Sequence, residues 1–278
     1  MTVAGKKAAR GGGAYKMDIE LVEKKENELV FVLKKTSAAF ANALRRLSME
    51  EVPVMAIEDV EFRKNSSILY DEVLAHRLGL IPLKTDMESY NFPEKCKCGG
   101  EGCARCQAKL TLNATHSGSV YADEMKPKDP KIKPAQPKML ITKLQANQAV
   151  VAEATAQLGK GREHVKWSPG LVHYKMRPEI VIEKEVKDPE SVVEKCPQGI
   201  FEIKNNKLLV NREKLLTCHL CGECVELTNS AIKIEKTDDY VFYVESWGQI
   251  TPKEIISTAL DVLQEKTKEF EKELEKIK

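Results

Sequence analysis

Cys218-His219-Leu220-Cys221-Gly222-Glu223-Cys224 places cysteine at every third position. That spacing wraps three thiolates around one face of an iron–sulfur cube and leaves one iron in need of a more distant ligand. Cys196-Pro197 lies upstream and is the candidate for that ligand, because in two-cluster bacterial ferredoxins each run closes with a Cys-Pro whose cysteine reaches across to the other cluster. If Cys196 ends a first half, its companions should stand at 186, 189 and 192, where the chain has Val186, Pro189 and Val192. The matching last position of the second half is Thr228. One complete ligand set and one lost set predict a single [4Fe-4S] cluster on Cys196, Cys218, Cys221 and Cys224. A [3Fe-4S] form follows if Cys196 falls short. A four-cysteine zinc site is the competing reading, disfavoured because C-x2-C-x2-C is an awkward wrap for one tetrahedral ion.

Working outward, Ile200 to Ile203 and Lys207 to Val210 read as a hairpin across Asn205-Asn206, and Ala231 to Ile234 as a returning strand, which predicts a ferredoxin-like βαββαβ unit over 185–236. The whole chain has 278 residues, enough for about two domains at roughly 150 residues each. Lys and Arg number 44 against 42 Asp and Glu, for a formal charge of +2. That balance argues against both a polyanion-coating tail and a strongly acidic electron carrier. With 42% hydrophobic and 31% charged residues the composition is globular. No apolar run approaches the roughly 20 residues of a membrane span. Residues 1–14 carry Lys6, Lys7, Arg10 and Gly11 to Gly13 without an apolar stretch, so they are expected to be a flexible leader and the protein to be cytoplasmic. In a reducing compartment, eight cysteines in two tight groups favour metal over disulfides.

The first group is Cys96, Cys98, Cys103 and Cys106. Side chains two apart on an extended segment point the same way, Gly99, Gly100 and Gly102 allow a tight return, and Cys103-x2-Cys106 closes a tetrahedron. The expected ion is structural Zn²⁺, since four thiolates leave no open coordination position for water. A second iron–sulfur cluster or an empty loop is the alternative. Both metals would act as staples for segments too small to hold together by apolar burial.

Elsewhere the chain reads as a platform. Met17 to Val22 and Glu28 to Leu33 look like two strands. A helix capped by Thr36 or Ser37 then places Phe40, Leu44 and Leu47 on one face, with Arg45 and Arg46 pointing away, as either a solvated surface or a docking contact. Near the C-terminus, Thr251-Pro252-Lys253-Glu254 predicts a capping box. Ile256, Leu260, Leu263, Thr267, Phe270, Leu274 and Ile277 then recur by fours and threes. That narrow seam suits packing against another helix, from this chain or another. Leu110, Leu112 and Ala114 alternate like a strand, and Val150 to Ala154 like another. Lys126 to Lys138 reads as a stiff, solvated loop. Gly159-Lys160-Gly161 opens like a nucleotide fingerprint, but His164 replaces the third glycine and no Walker pattern, Asp triplet, nucleophile elbow or H-E-x-x-H appears. No catalytic residue is assigned.

Three longer stretches carry a resemblance. Phe40-Ala41-Asn42-Ala43-Leu44-Arg45-Arg46, Ile57-Glu58-Asp59-Val60-Glu61-Phe62 and Asp71 to Leu83 (DEVLAHRLGLIPL) occur in that order. With Glu163 to Pro169 and Tyr243 to Gly248 they resemble the D subunits of archaeal DNA-directed RNA polymerase. That family is related to the bacterial alpha subunit's N-terminal domain and to the third subunit of eukaryotic polymerase II. The resemblance implies an α+β chain with an alpha-like dimerisation domain at 15–54, 171–184 and 237–278. A mainly β insert domain at 55–170 would carry the zinc loop, and the ferredoxin-like unit at 185–236 would be inserted. It further implies a non-catalytic assembly subunit that pairs with the small subunit L through Phe40, Leu44, Leu47, Ile256, Leu260, Leu263 and Phe270. Arg45 and Arg46 would lie close to the large catalytic subunits, and no sequence-specific DNA contact is expected. The rival expectation is a ferredoxin-like electron-transfer or redox-sensing protein.

Overall fold

The computed structural model describes residues 17–277, so the expected leader lies outside the described residues. Two compact units divide the chain. One takes in the N-terminal stretch through Leu21, Phe31–Ala38 and Lys175–Val241, and the other Val22–Val30, Ala39–Tyr174 and Phe242–Lys278.

Strands β1 (Asp18–Lys24) and β2 (Glu28–Lys34) are joined by a short polar turn in which Lys25 N–H donates to the Glu28 carbonyl at 2.8 Å. Helix α1 (Ala38–Glu50) buries Ala41, Leu44 and Ser48 along one stripe. Their spacing of three and four is that of a half-buried helix. Strand β3 (Pro53–Asn65) begins at the proline expected to bar the helix.

The second unit holds the larger core. Helix α2 (Asp71–Gly79) buries Leu74 and Leu78, one turn apart, in the same core as Met55, Ile57, Leu110 and Leu112. Strand β4 (Gln107–Ala114) buries every second residue, as its alternation predicts. After β5 (Gly118–Tyr121), β6 (Lys126–Pro127) and β7 (Leu140–Leu144) comes β8 (Val150–Lys160), which is longer than the five residues expected. It is the spine of a sheet of order β3-β8-β4-β6, pairing antiparallel with β3 from Pro53↔Lys160 to Asn65↔Val150 and with β4 from Gln107↔Gln157 to Ala114↔Val150. Arg77 fastens α2 to β7 by donating Nε to the Ile141 carbonyl at 2.7 Å and Nη2 to the Leu140 carbonyl at 2.8 Å.

Lys126 to Lys138 departs from the solvated loop expected of it. Ile132 is fully buried in the core, and Pro134 bridges Leu83. Burying one isoleucine is worth about 1.5–3 kcal/mol, enough to hold down a stretch whose prolines make few backbone bonds of their own. Gly159 and Gly161 serve packing: a Cβ at Gly159 would lie 2.3 Å from the Trp167 ring, and one at Gly161 would lie 2.0 Å from the Met49 carbonyl oxygen.

Strand β9 (Gly170–Met176) is followed by β10 (Glu179–Ile182), α3 (Pro189–Lys195), β11 (Phe201–Lys204), β12 (Lys207–Val210), α4 (Glu223–Leu227) and β13 (Ile232–Glu235). From β10 to β13 this is a βαββαβ order. The register of β10 on β13 runs from Glu179↔Glu235 to Ile182↔Ile232. The boundary expected at 185 therefore falls in the connection between β10 and α3. The hairpin of β11 and β12 turns on Asn205 and Asn206, both left-handed at φ 53° and 59°. That conformation suits the two central residues of a type I′ turn, and asparagine tolerates it. Val192, Ile200, Phe201, Leu208 and Ile232 form the core beneath.

Strand β14 (Tyr240–Ser246) completes a four-stranded sheet of order β1-β2-β14-β9, so strands from near both ends of the chain share one sheet. Helix α5 (Pro252–Glu275) closes the fold. Its capping box forms as predicted: Glu254 N–H donates to Thr251 Oγ1 at 3.3 Å, and Thr251 N–H donates to Glu254 Oε2 at 2.7 Å. No helix among the described residues is long and apolar enough to cross a membrane.

Candidate metal centres and partner surface

All eight thiols are free. In the first group the 3-10 turn Pro93–Lys95 delivers Cys96, and the loop returns through Gly99, Gly100 and Gly102 at φ 68°, 91° and 96°, which only glycine adopts without strain. The sulfurs of Cys96, Cys98, Cys103 and Cys106 all lie within 4.8 Å of one another. Cys96 and Cys103 are 3.6 Å apart, Cys98 and Cys106 3.6 Å, and Cys103 and Cys106 3.8 Å. A tetrahedral ion with Zn–S bonds of about 2.3 Å needs an edge of about 3.8 Å, so the donor set is already shaped for one ion. Amide N–H groups of Gly102 and Gly100 point at Cys98 and bring its thiol down to about 6, while burial pushes Cys106 up to about 12. The loop thus supplies a thiolate near neutral pH together with thiols that ionise only beside a cation.

The second group is organised differently. A 3-10 turn at Leu215–Thr217 leads into Cys218, and left-handed residues Leu220 (φ 57°) and Gly222 (φ 85°) curl the loop into α4, which carries Cys224. Cys196 ends α3 and meets the loop: all four cysteines line one small cavity of about 20 Å³, walled by Val192, Ile200, Phe201, Leu227 and Ile234. Among the described residues, only the first group has three or more ligand atoms mutually within 4.8 Å, so these four sulfurs stand wider than one ion requires. Burial pushes the Cys218 thiol up and Cys224 to about 11, and the neighbouring thiols add to both shifts. From β9, Lys175 Nζ donates to the Cys218 carbonyl at 2.9 Å. Val186, Val192 and Thr228, which stand where a two-cluster pattern would place further cysteines, share one groove. Thr228 now locks α4 to β13, donating Oγ1 to the Cys224 carbonyl at 2.7 Å and accepting from Ile232 N–H at 3.1 Å.

The expected partner residues are divided by burial. Leu44 is only 3% exposed and belongs to the chain's own core, whereas Phe40 and Leu47 are half-buried. Arg45 donates Nε and Nη2 to Asn42 Oδ1, and Arg46 pairs with Glu50 at 3.2 Å. On α5 the buried face is Pro252, Ile255 and Ala259. Ile256 and Leu263 are half-buried, while Leu260, Phe270 and Leu274 are exposed at 39%, 63% and 48%. The seam therefore faces solvent over its last turns. Ile19 and Leu21 of β1 are exposed as well.

Sequence reasoning passed over Glu51, the buried carboxylate beneath α5. It receives Lys266 at 3.0 Å, Lys160 at 3.1 Å and Arg162 at 3.3 Å. It also passed over Lys175. Neither carried a signal, since one acid or one lysine in a chain with 31% charged residues marks no site until the fold supplies its neighbours.

The family model described as the RNA polymerase Rpb3/RpoA insert domain matches residues 60–172. The chain is 39% identical over 258 residues to DNA-directed RNA polymerase subunit Rpo3 of Methanosarcina acetivorans, covering 91% of this chain and 97% of the relative. It is 38% identical over 262 residues to Rpo3 of Archaeoglobus fulgidus (94% and 98%) and 35% identical over 260 residues to Rpo3 of Pyrococcus horikoshii (93% and 98%). An alpha-like insert domain, a sheet joining strands from near both chain ends and nearly full-length identity to these subunits agree: the chain belongs to the archaeal Rpo3 family of DNA-directed RNA polymerase subunits.

Proposed function

We propose that the chain is a non-catalytic assembly subunit of DNA-directed RNA polymerase in the cytoplasm. It pairs with the small subunit L and gives the large catalytic subunits their platform, while nucleotidyl transfer takes place on those other chains. The dimerisation domain is 15–54, the first strand of 171–184 and 237–278, with the insert domain at 55–170 and β10 counted with the unit into which it pairs. The observation that carries the reading is α5, whose apolar edge at Leu260, Phe270 and Leu274 lies exposed. A surface helix with one apolar stripe is built to cover that stripe. Arg45 and Arg46 face the large subunits.

The first cysteine group holds structural Zn²⁺, which its sulfur spacing fits. The second holds one [4Fe-4S] cluster. Its four thiols line one apolar cavity and stand wider than a single ion needs, as expected when each binds a different iron. The cluster's contribution is to the folding of its unit, since iron binding relieves the cost of burying thiolates together. An electron carrier reading has less support, because valines and a threonine stand where a second cluster would bind.

Anaerobic co-expression with subunit L followed by size-exclusion chromatography tests the assembly reading. A stable heterodimer is expected, and a chain that stays monomeric beside folded subunit L refutes it. Metal analysis of the same sample should give one zinc and four irons per chain.

A further inference from the structure

Lys175 leaves β9 half-buried and ends on the cysteine loop, with Nζ 2.9 Å from the Cys218 carbonyl oxygen. The contact has two consequences. It reaches a main-chain carbonyl of the cysteine loop, and its position brings a cation within electrostatic reach of the Cys218 sulfur. A cysteine loop that ends on Leu220 and Gly222 in left-handed conformation has few regular backbone bonds, so an outside donor is well placed to fix it. Four thiolates converging on one cavity also concentrate negative charge, which a low-dielectric wall of Val192, Ile200 and Phe201 does not screen. A fixed ammonium at the cavity's edge answers both needs.

We infer that Lys175 is a positioning residue for the iron–sulfur centre: its hydrogen bond sets the Cys218 loop, and its charge offsets that of the four thiolates, tying cluster retention to strand β9. The inference rests on the cluster reading given above.

The test uses the full chain, purified anaerobically as wild type, Lys175→Arg, Lys175→Gln and Lys175→Met. The rate of iron release to a chelator is followed by loss of the visible iron–sulfur absorbance. Arginine keeps donor and charge, glutamine keeps a donor alone, and methionine keeps only the length and the apolar stem. Release from the Gln and Met variants should be about tenfold faster than from wild type, with the Arg variant within twofold of wild type. A Gln variant as slow as wild type overturns the role of the charge. An Arg variant as fast as Met, or four equal rates, overturns the assignment altogether. Wild-type protein that purifies without iron defeats the cluster reading itself, a result distinguishable from all of these.

Discussion

Replacing Glu51 by glutamine removes one buried negative charge and leaves its size almost unchanged. The carboxylate is 6% exposed and lies within 3.3 Å of Lys266, Lys160 and Arg162. A hydrogen bond to a charged group in a dry site is worth about 1.5–3 kcal/mol. These cations, however, keep 45%, 35% and 71% of their side-chain exposure, which lowers each contact toward the roughly 0.2–1 kcal/mol of solvated pairs. Three such contacts around one buried acceptor sum to about 2 kcal/mol, or roughly 4–8 °C in Tm for a unit of this size. Burial alone would raise the Glu51 pKa, but the Lys266 and Lys160 ammoniums outweigh it and hold the carboxyl below its usual value. The stabilisation is therefore complete above the unfolded carboxyl's pKa of about 4.3 and disappears as pH falls through the lower, folded value. Urea unfolding followed by tryptophan fluorescence, at a series of pH values from neutral to strongly acid, should show the two proteins separated near neutrality and converging in acid. No gap at neutral pH, or one that persists undiminished in strong acid, would refute the argument.

Other outcomes follow from the same geometry. Phe270→Asp puts a charge on the exposed edge of α5, and loss of a buried phenylalanine's roughly 1.5–3 kcal/mol should raise the Kd for subunit L about 10- to 100-fold in a titration, with the free chain's stability unchanged. Zinc binding to the metal-free chain near pH 7 should release fewer than four protons per ion, because Cys98, at about 6, is already largely a thiolate. Calorimetry in two buffers of different ionisation heat counts them, and a release of four would contradict the role of the Gly100 and Gly102 amides. Cys221→Ser should abolish the iron–sulfur absorbance while leaving the zinc content at one per chain. Loss of both metals together would show the centres to be coupled.

Local signals were legible where a residue's role depends on near neighbours in sequence. The Asn205-Asn206 turn, the Thr251 capping box and the alternation of β4 each need only a few adjacent side chains, and each forms where the sequence predicts. The grouping of Cys96, Cys98, Cys103 and Cys106 around one point was legible too, because a four-donor site dictates such spacing. What the sequence hid was tertiary. Ile132 looked like one apolar residue in a lysine-rich loop until the core around Leu74 and Leu78 gave it a place. Strand β10 looked like part of the sheet preceding the ferredoxin-like unit, since its pairing with Ile232 to Glu235 joins residues about fifty positions apart, beyond the reach of periodicity. Leu44 shared the helical spacing of Phe40 and Leu47, but spacing does not tell a core face from a docking face.

The connections at 177–178 and 236–239 form a neck. Strands β9 and β14 are neighbours in their sheet, and everything from β10 to β13 leaves by one and returns by the other. The two connections are clasped together: Arg177 N–H donates to the Asp239 carbonyl at 2.8 Å, its guanidinium lies 3.5 Å from the Asp239 carboxylate, and Thr237 Oγ1 donates to the Arg177 carbonyl at 3.1 Å. In topological terms the β10–β13 segment is an overgrown hairpin loop, and lengthening a loop whose ends already touch costs little entropy. Changes within that loop, or its removal, therefore leave the two strands at its root needing only a short turn to stay joined.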